Sequence, residues 1–196
     1  MQAKLYTHEP NVEIRWATFE NPKGRKSRAG LLNKGAKGRV FEPFAAGETK
    51  TLLDATGSGP VTRIWLTIDN RSPAALHGIK LRMLWDGAQT PAVDVPLGEF
   101  FCAPYGKAVA FENAFFASPE GRSFNCFIPM PFQTAARMEL YNGAGVDLGH
   151  LFYEVDYELR KHEAETLYFH CKWNESGTRL WAKITKYCPP YRVRAR

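Results

Sequence analysis

The acids best suited to chemistry in this 196-residue chain are Asp86, Asp94, Glu99, Glu154, Asp156 and Glu158. Two carboxyl groups held about 5–5.5 Å apart, one protonated and one ionised, can open a glycosidic bond with retention of configuration. Alternation along Phe152-Glu154-Asp156-Glu158 sets three of these acids on one side of a strand, within reach of that spacing. The plainer reading of such a row is a solvated outer face. Asp86, followed by Gly87, has the signature of a turn cap. Glu99 is the candidate catalytic acid, because Gly98-Glu99-Phe100-Phe101 reads as a loop and exposed function concentrates on loops. A hydrogen bond to loop amides is its structural alternative.

Sugar recognition needs an aromatic platform with planar polar partners beside it. Arg63, Trp65, Thr67 and Asp69 fall on the polar side of an alternating strand and supply that combination. A tryptophan there also suits a subunit interface, and that is the favoured alternative. Asn125 could orient a hydroxyl or sit as a satisfied buried amide. The candidate substrate-binding set is therefore Arg63, Trp65, Asp86, Glu99 and Asn125. His162 and His170 lack metal-ligand spacing, and no metal or other cofactor is expected. Phosphate-loop, nucleophile-elbow and zinc-protease motifs do not occur.

Strands must position these residues. Val61–Asp69, Ile79–Trp85, Leu151–Leu159 and Leu167–Trp173 alternate at period two, with shorter runs at Lys50–Asp54, Ala92–Pro96, Phe124–Ile128 and Arg137–Tyr141. Turn residues separate them at 57–60, 69–73, Asp86-Gly87 and Asn142-Gly143. Glu163–Thr166 offers at most a short helical turn. About eight strands and few helical stretches predict an all-β, antiparallel two-sheet sandwich of jelly-roll type.

Composition narrows the field. Hydrophobic residues make up 44% of the chain, enough for a core and far from a disordered composition. No apolar run approaches a membrane span, and Met1–Pro10 has no signal-peptide character, so a cytoplasmic location is expected. The net charge of +6 is local: no acid follows Glu175, while Arg179, Lys183, Lys186, Arg192, Arg194 and Arg196 do. Without them the remaining bases equal the 20 acids. A second basic run, Lys23 to Arg39, reads as a solvated loop, and no nucleic-acid motif accompanies either run. Cys102, Cys126 and Cys171 stand in apolar surroundings and read as free buried thiols; Cys188 is the fourth cysteine.

Several stretches together resemble a known family. They include Phe19-Glu20-Asn21-Pro22, Phe41-Glu42-Pro43-Phe44, Gly59 to Thr67, Leu81-Arg82-Met83-Leu84-Trp85-Asp86-Gly87, and Val93 to Phe101. Asn125 to Phe132, Asp156-Tyr157-Glu158-Leu159 and Phe169 to Trp173 complete the set. In this order they resemble the first half of glycoside hydrolase family 172, also known as domain-of-unknown-function family 2961. The resemblance implies a jelly roll, fructofuranoside or arabinofuranoside substrates, retention, and no required metal. Glu99 stands where that family usually has Asp, which moves the carboxylate by roughly one bond length. The family's proteins resemble tandem jelly rolls whose catalytic acids lie in the second half. The expected organisation is a lead-in segment and basic loop over 1–38, a jelly roll over 39–175, and a basic tail over 176–196 resembling a truncated start of a second roll. The expected function is a half-length relative of the furanosidases, inactive alone; the rival is a non-catalytic assembly scaffold or carbohydrate-binding module. Expected partners are copies of itself in a trimer or hexamer and an oligosaccharide, with neither nucleic acid nor membrane.

Overall fold

The computed structural model describes residues 9–162 and 166–174. The elements are β1 (Glu13–Ala17), β2 (Glu42–Phe44), β3 (Thr49–Thr56), β4 (Gly59–Ile68), α1 (Pro73–Gly78), β5 (Ile79–Trp85), β6 (Val93–Pro96) and α2 (Leu97–Phe100). They continue as β7 (Phe111–Glu112), β8 (Phe116–Ser118), a 3-10 turn (Pro119–Gly121), β9 (Ser123–Cys126), β10 (Met130–Phe132), β11 (Ala135–Asn142), β12 (Leu148–Leu159) and β13 (Cys171–Lys172). None of the described helices is long and apolar enough to cross a membrane.

Two sheets face each other. Sheet one runs β1-β12-β4-β9-β8-β7, with β10 also on β4 and β2 also on β12. Sheet two runs β13-β6-β5-β11-β3. The chain passes repeatedly from one sheet to the other, giving the all-β sandwich of jelly-roll type that the alternation implied. Ile64, Leu66 and Ile68 of β4 and Leu151 and Val155 of β12 meet Ile79, Leu81, Met83 and Leu140 of sheet two, all at most 1% exposed. Closing the sandwich removes these side chains from water, the dominant favourable contribution to the fold.

Two bulges adjust the alternation. Across β11–β3 the register shifts at Met138/Glu139, so Leu52 and Leu53 are both buried although adjacent. Lys50 thereby shares the parity of Leu52. Across β12–β4 the shift at Asp156/Tyr157 leaves Thr62 as the extra residue. Asn142 is fully buried and closes the turn after β11. Its amide donates to Phe44 O (3.0 Å) and Val146 O (2.9 Å), while its oxygen accepts from the Ala144 amide (3.1 Å).

The C-terminal part of the described chain departs from expectation. Of Leu167–Trp173 only Cys171–Lys172 is strand, and it pairs parallel to Val93–Asp94. The chain is tethered there by Trp85, whose indole donates to Phe169 O at 2.8 Å, and Leu167 remains 80% exposed. Residues 163–165 and 175–196 lie outside the described residues, and with them most of the expected helical turn, the basic tail and Cys188. Cys102 also corrects the reading of three buried thiols: it is exposed, with φ +63°, whereas Cys126 is buried and Cys171 half-buried.

Gly59 opens β4 under a close approach from β12: a Cβ added there would stand 1.7 Å from Glu158 O. Gly59→Ala should therefore cost more than about 2 kcal/mol of unfolding free energy. Urea denaturation measures this, and a loss under about 0.5 kcal/mol would contradict the packing described.

Candidate functional site

The outer face of sheet one gathers the polar residues of three neighbouring strands. Trp65 on β4 pairs with Glu154 on β12 and with Asn125 on β9, and Arg63 pairs with Asp156. Because cross-strand partners point to the same side, Arg63, Trp65, Asn125, Glu154 and Asp156 form one contiguous patch. Arg63 is its hub. Its Nη1 donates to Asp156 Oδ2 at 3.3 Å and lies 3.7 Å from Glu154 Oε2, while Nη2 donates to Asn125 Oδ1 at 3.5 Å. The Asn125 amide donates onward to Ala117 O at 3.3 Å. From the basic loop, Lys37 reaches Glu154 Oε1 at 3.6 Å.

The acids of this patch are about a third exposed, and Arg63 holds both at once. Burial raises the Asp156 carboxyl above its ordinary range; the Arg63 hydrogen bond and charge oppose this, and the Glu154 charge reinforces it. Paired acid chemistry needs carboxyl groups free to hold and pass a proton, and here each is already engaged by the arginine between them. The patch is therefore better equipped to orient hydroxyl groups than to pass a proton. Apolar side chains flank it on the same face: Trp16 pairs with Asp156 and Ile14 with Glu158, 46% and 72% exposed.

The other predicted site residues lie elsewhere. Asp86, in the left-handed conformation (φ +54°), follows β5 and serves as a clamp. Its Oδ1 accepts from the amides of Gln133 (2.9 Å), Thr134 (2.6 Å) and Ala135 (3.0 Å), and its Oδ2 accepts from the Tyr168 hydroxyl (2.5 Å). Asp69, past the end of β4, does the same for the amides of Gly149 and His150, at 3.0 and 3.1 Å. Glu99 lies on α2 and meets a histidine rather than loop amides: His77 Nδ1 is 2.5 Å from its Oε1. Its second oxygen is buried without a partner among the described residues. His77 sits on α1, started by Ser72, whose hydroxyl accepts the Ala75 amide, and by Pro73 at the first helical position. That capping pair was visible in the sequence as a turn, and the His77–Glu99 contact it creates was not.

Burial pushes the Cys126 thiol up to about 12 and also raises Cys171, and partial cover of the sulfur raises Cys102 although the residue as a whole is exposed, so none of these three is an activated thiolate. Among the described residues, no three His, Cys, Asp or Glu side chains converge as metal ligands. Two clefts open away from the patch. One, of about 330 Å³, is lined by Glu20, Asn21, Pro22, Lys23, Arg25 and Arg28 of the basic loop. The other, of about 270 Å³, opens where β2 and β3 meet β12.

Partial burial tends to raise the Asp86 carboxyl, but the Tyr168 hydroxyl and the Thr134, Ala135 and Gln133 amides outweigh it and hold the group below its usual range. The clamp's charge-dependent stabilisation is thus present above the unfolded carboxyl value and is lost as pH falls through the lower folded value. Asp86→Ala should cost about 2–3 kcal/mol at neutral pH, while Asp86→Asn, which keeps an acceptor, should cost less. Unfolding curves recorded against pH should show the wild-type advantage over Asp86→Asn shrinking below about pH 4. An advantage that instead grew on acidification would contradict this assignment.

The sandwich and its motifs agree with the family comparison. A family model described as GH172 domain-like matches residues 39–155, which span β2 through most of β12 and include Arg63, Trp65, Asp86, Glu99, Asn125 and Glu154. No curated protein matches the chain. With the matching model covering more than half of its length, the chain belongs to the GH172 domain-like family, a glycoside-hydrolase-related group.

Proposed function

We propose that this chain is a substrate-facing module of a furanosidase-type glycoside hydrolase, holding a fructofuranoside or arabinofuranoside against the Trp65 patch without turning it over alone. The observation that carries this reading is the Arg63 network. One guanidinium occupies Asp156, Glu154 and Asn125 together, beside a half-buried tryptophan. Trp65 supplies the platform for a sugar's apolar face, while Arg63 and the outer lone pairs of the carboxylates meet its hydroxyls and the buried Asn125 holds the guanidinium in place. Proton transfer would require one of the acids to leave the arginine. The furanoside class comes from the family resemblance.

A second reading has its own support. Ile14, Trp16, Phe115 and Phe127 are 72%, 46%, 54% and 40% exposed near the same patch, an apolar rim that suits burial against another copy of the chain. On this reading the face serves assembly into a trimer or hexamer, with Trp65 as an anchor.

Trp65→Ala separates the two. For the sugar-binding reading the expected result is unchanged mass in light scattering with furanoside binding weakened at least tenfold, together with no turnover of aryl fructofuranosides or arabinofuranosides by the wild-type chain. A smaller assembly with intact sugar binding would shift the assignment to the interface, with a loss of about 2 kcal/mol or more if Trp65 is an anchor. Turnover by the isolated chain would sink the claim of inactivity.

A further inference from the structure

The cations of the basic run from Lys23 to Arg39 are not equivalent. Lys23, Arg25 and Arg28 line one cleft of about 330 Å³ together with Glu20, Asn21 and Pro22, whereas Lys26 and Lys34 of the same run do not. Lys37 and Arg39 are engaged elsewhere, on Glu154 and Glu42.

The backbone beneath the three cleft cations is fastened to the sandwich. Tyr157, 3% exposed, donates its hydroxyl to Lys23 O (3.2 Å), Arg15 Nη1 donates to Gly24 O (3.3 Å), and the Asn21 side-chain amide donates to Arg25 O (2.9 Å). Asn21 Oδ1 also accepts the Arg25 amide at 3.0 Å, so one buried side chain holds Arg25 at both ends of its backbone. Gly24 permits this seat: at φ +54° it lies so close to Tyr157 that a Cβ would stand 2.4 Å from the hydroxyl oxygen. Three successive carbonyls are thereby taken up by donors from the body, and their partial negative charge is directed at those donors rather than at a ligand.

The side chains above that backbone are the opposite case. Arg25 and Arg28 are exposed, and neither guanidinium has a hydrogen bond or ion pair among the described residues. Lys23 has one acidic partner, Asp54 at 3.8 Å, and with both groups more than half exposed the pairing has little strength. The one acid of the lining, Glu20, directs Oε1 at the Leu32 and Gly38 amides, 3.3 and 3.4 Å away. Three cations against that acid leave the lining with two positive charges. A guanidinium presents a fork of donors that matches phosphate oxygens, and a phosphate monoester carries close to two negative charges at neutral pH.

We infer that this cleft binds the phosphate monoester group of a soluble small molecule, held by the forks of Arg25 and Arg28 with Lys23 as a third charge. Because the fastened turn has little freedom left to lose, binding orders little beyond the cation side chains themselves. The site does not rest on the sugar-binding reading of the Trp65 face.

Isothermal titration calorimetry of the full chain with methyl phosphate at low ionic strength tests this. Dimethyl phosphate is the comparator: it carries one charge and is the diester of nucleic acids and most phospholipids. The expected result is saturable binding of methyl phosphate, tighter than that of dimethyl phosphate by about fivefold or more. Arg25→Gln and Arg28→Gln should each weaken it about fivefold or more with melting temperature unchanged, since neither guanidinium bonds to the fold. Lys34→Gln removes the same charge from the same loop outside the cleft and should leave the affinity within about twofold. No saturable binding, a loss in Lys34→Gln equal to that in Arg25→Gln, or equal affinity for the diester would each overturn the proposal. So would binding to vesicles containing phosphatidic acid without binding to methyl phosphate, which would place the phosphate on a lipid.

Discussion

β12 and β4 pair antiparallel from Leu151 opposite Ile68 to Asp156 opposite Arg63, and the rest of the structure is referred to that register. Strand side chains alternate at period two, so a slip of one residue would exchange every inward and outward group. Tyr153 and Val155 would leave the core, and Glu154 and Asp156 would enter it as charges without the arginine opposite. The apolar row of Ile64, Leu66 and Ile68 against Leu151, Tyr153 and Val155 forbids that exchange, since burying two carboxylates in its place is costly. The bulge at Thr62 then changes the parity of β4, so that Val61 also turns inward while Arg63 remains outside.

Several of the acids act as fasteners in this framework. Asp86 gathers three consecutive amides from the chain entering β11, Asp69 gathers two from β12, and Glu20 accepts the Leu32 and Gly38 amides of the basic loop. A carboxylate with several acceptor sites suits this work because loop amides have no ladder partner. The same property makes such acids resemble catalytic candidates in a sequence. An acid beside a glycine in a loop and an acid poised for proton transfer are written with the same letters, and only their donors differ.

Arg63 and Lys50 show two uses of a cation among acids. Arg63, about a third exposed, leaves its acids facing water, where further hydrogen bonds can form. Lys50 is almost enclosed, and Glu42 and Glu48 pair with it there, as a cation taken that far from water requires. Its position follows from the bulge at Leu52, which gives Lys50 the parity of a core residue.

Much of the architecture was legible in the chain itself. Alternation in Val61–Asp69, Ile79–Trp85 and Leu151–Leu159 named the long strands and, from Arg63 onward in the first of them, their buried faces, because a half-buried strand has only one way to place its apolar side chains. The outward direction of Arg63, Trp65 and Asp156 followed from the same rule. Short strands such as β1, β7 and β8 were not legible, since two to five residues carry too little period to separate a strand from a loop. Leu167–Trp173 alternated well yet formed only a two-residue bridge, because the edge of β6 offers few partners and Trp85 tethers the chain at Phe169. Which residues met across the fold was decided only by tertiary structure: Arg63 with Asn125, Glu99 with His77, and Lys50 with Glu42 beneath Tyr153. Alternation states which side of a strand a residue occupies; which strand lies beside it, and where a bulge reverses the count, depends on the packing of the whole sandwich.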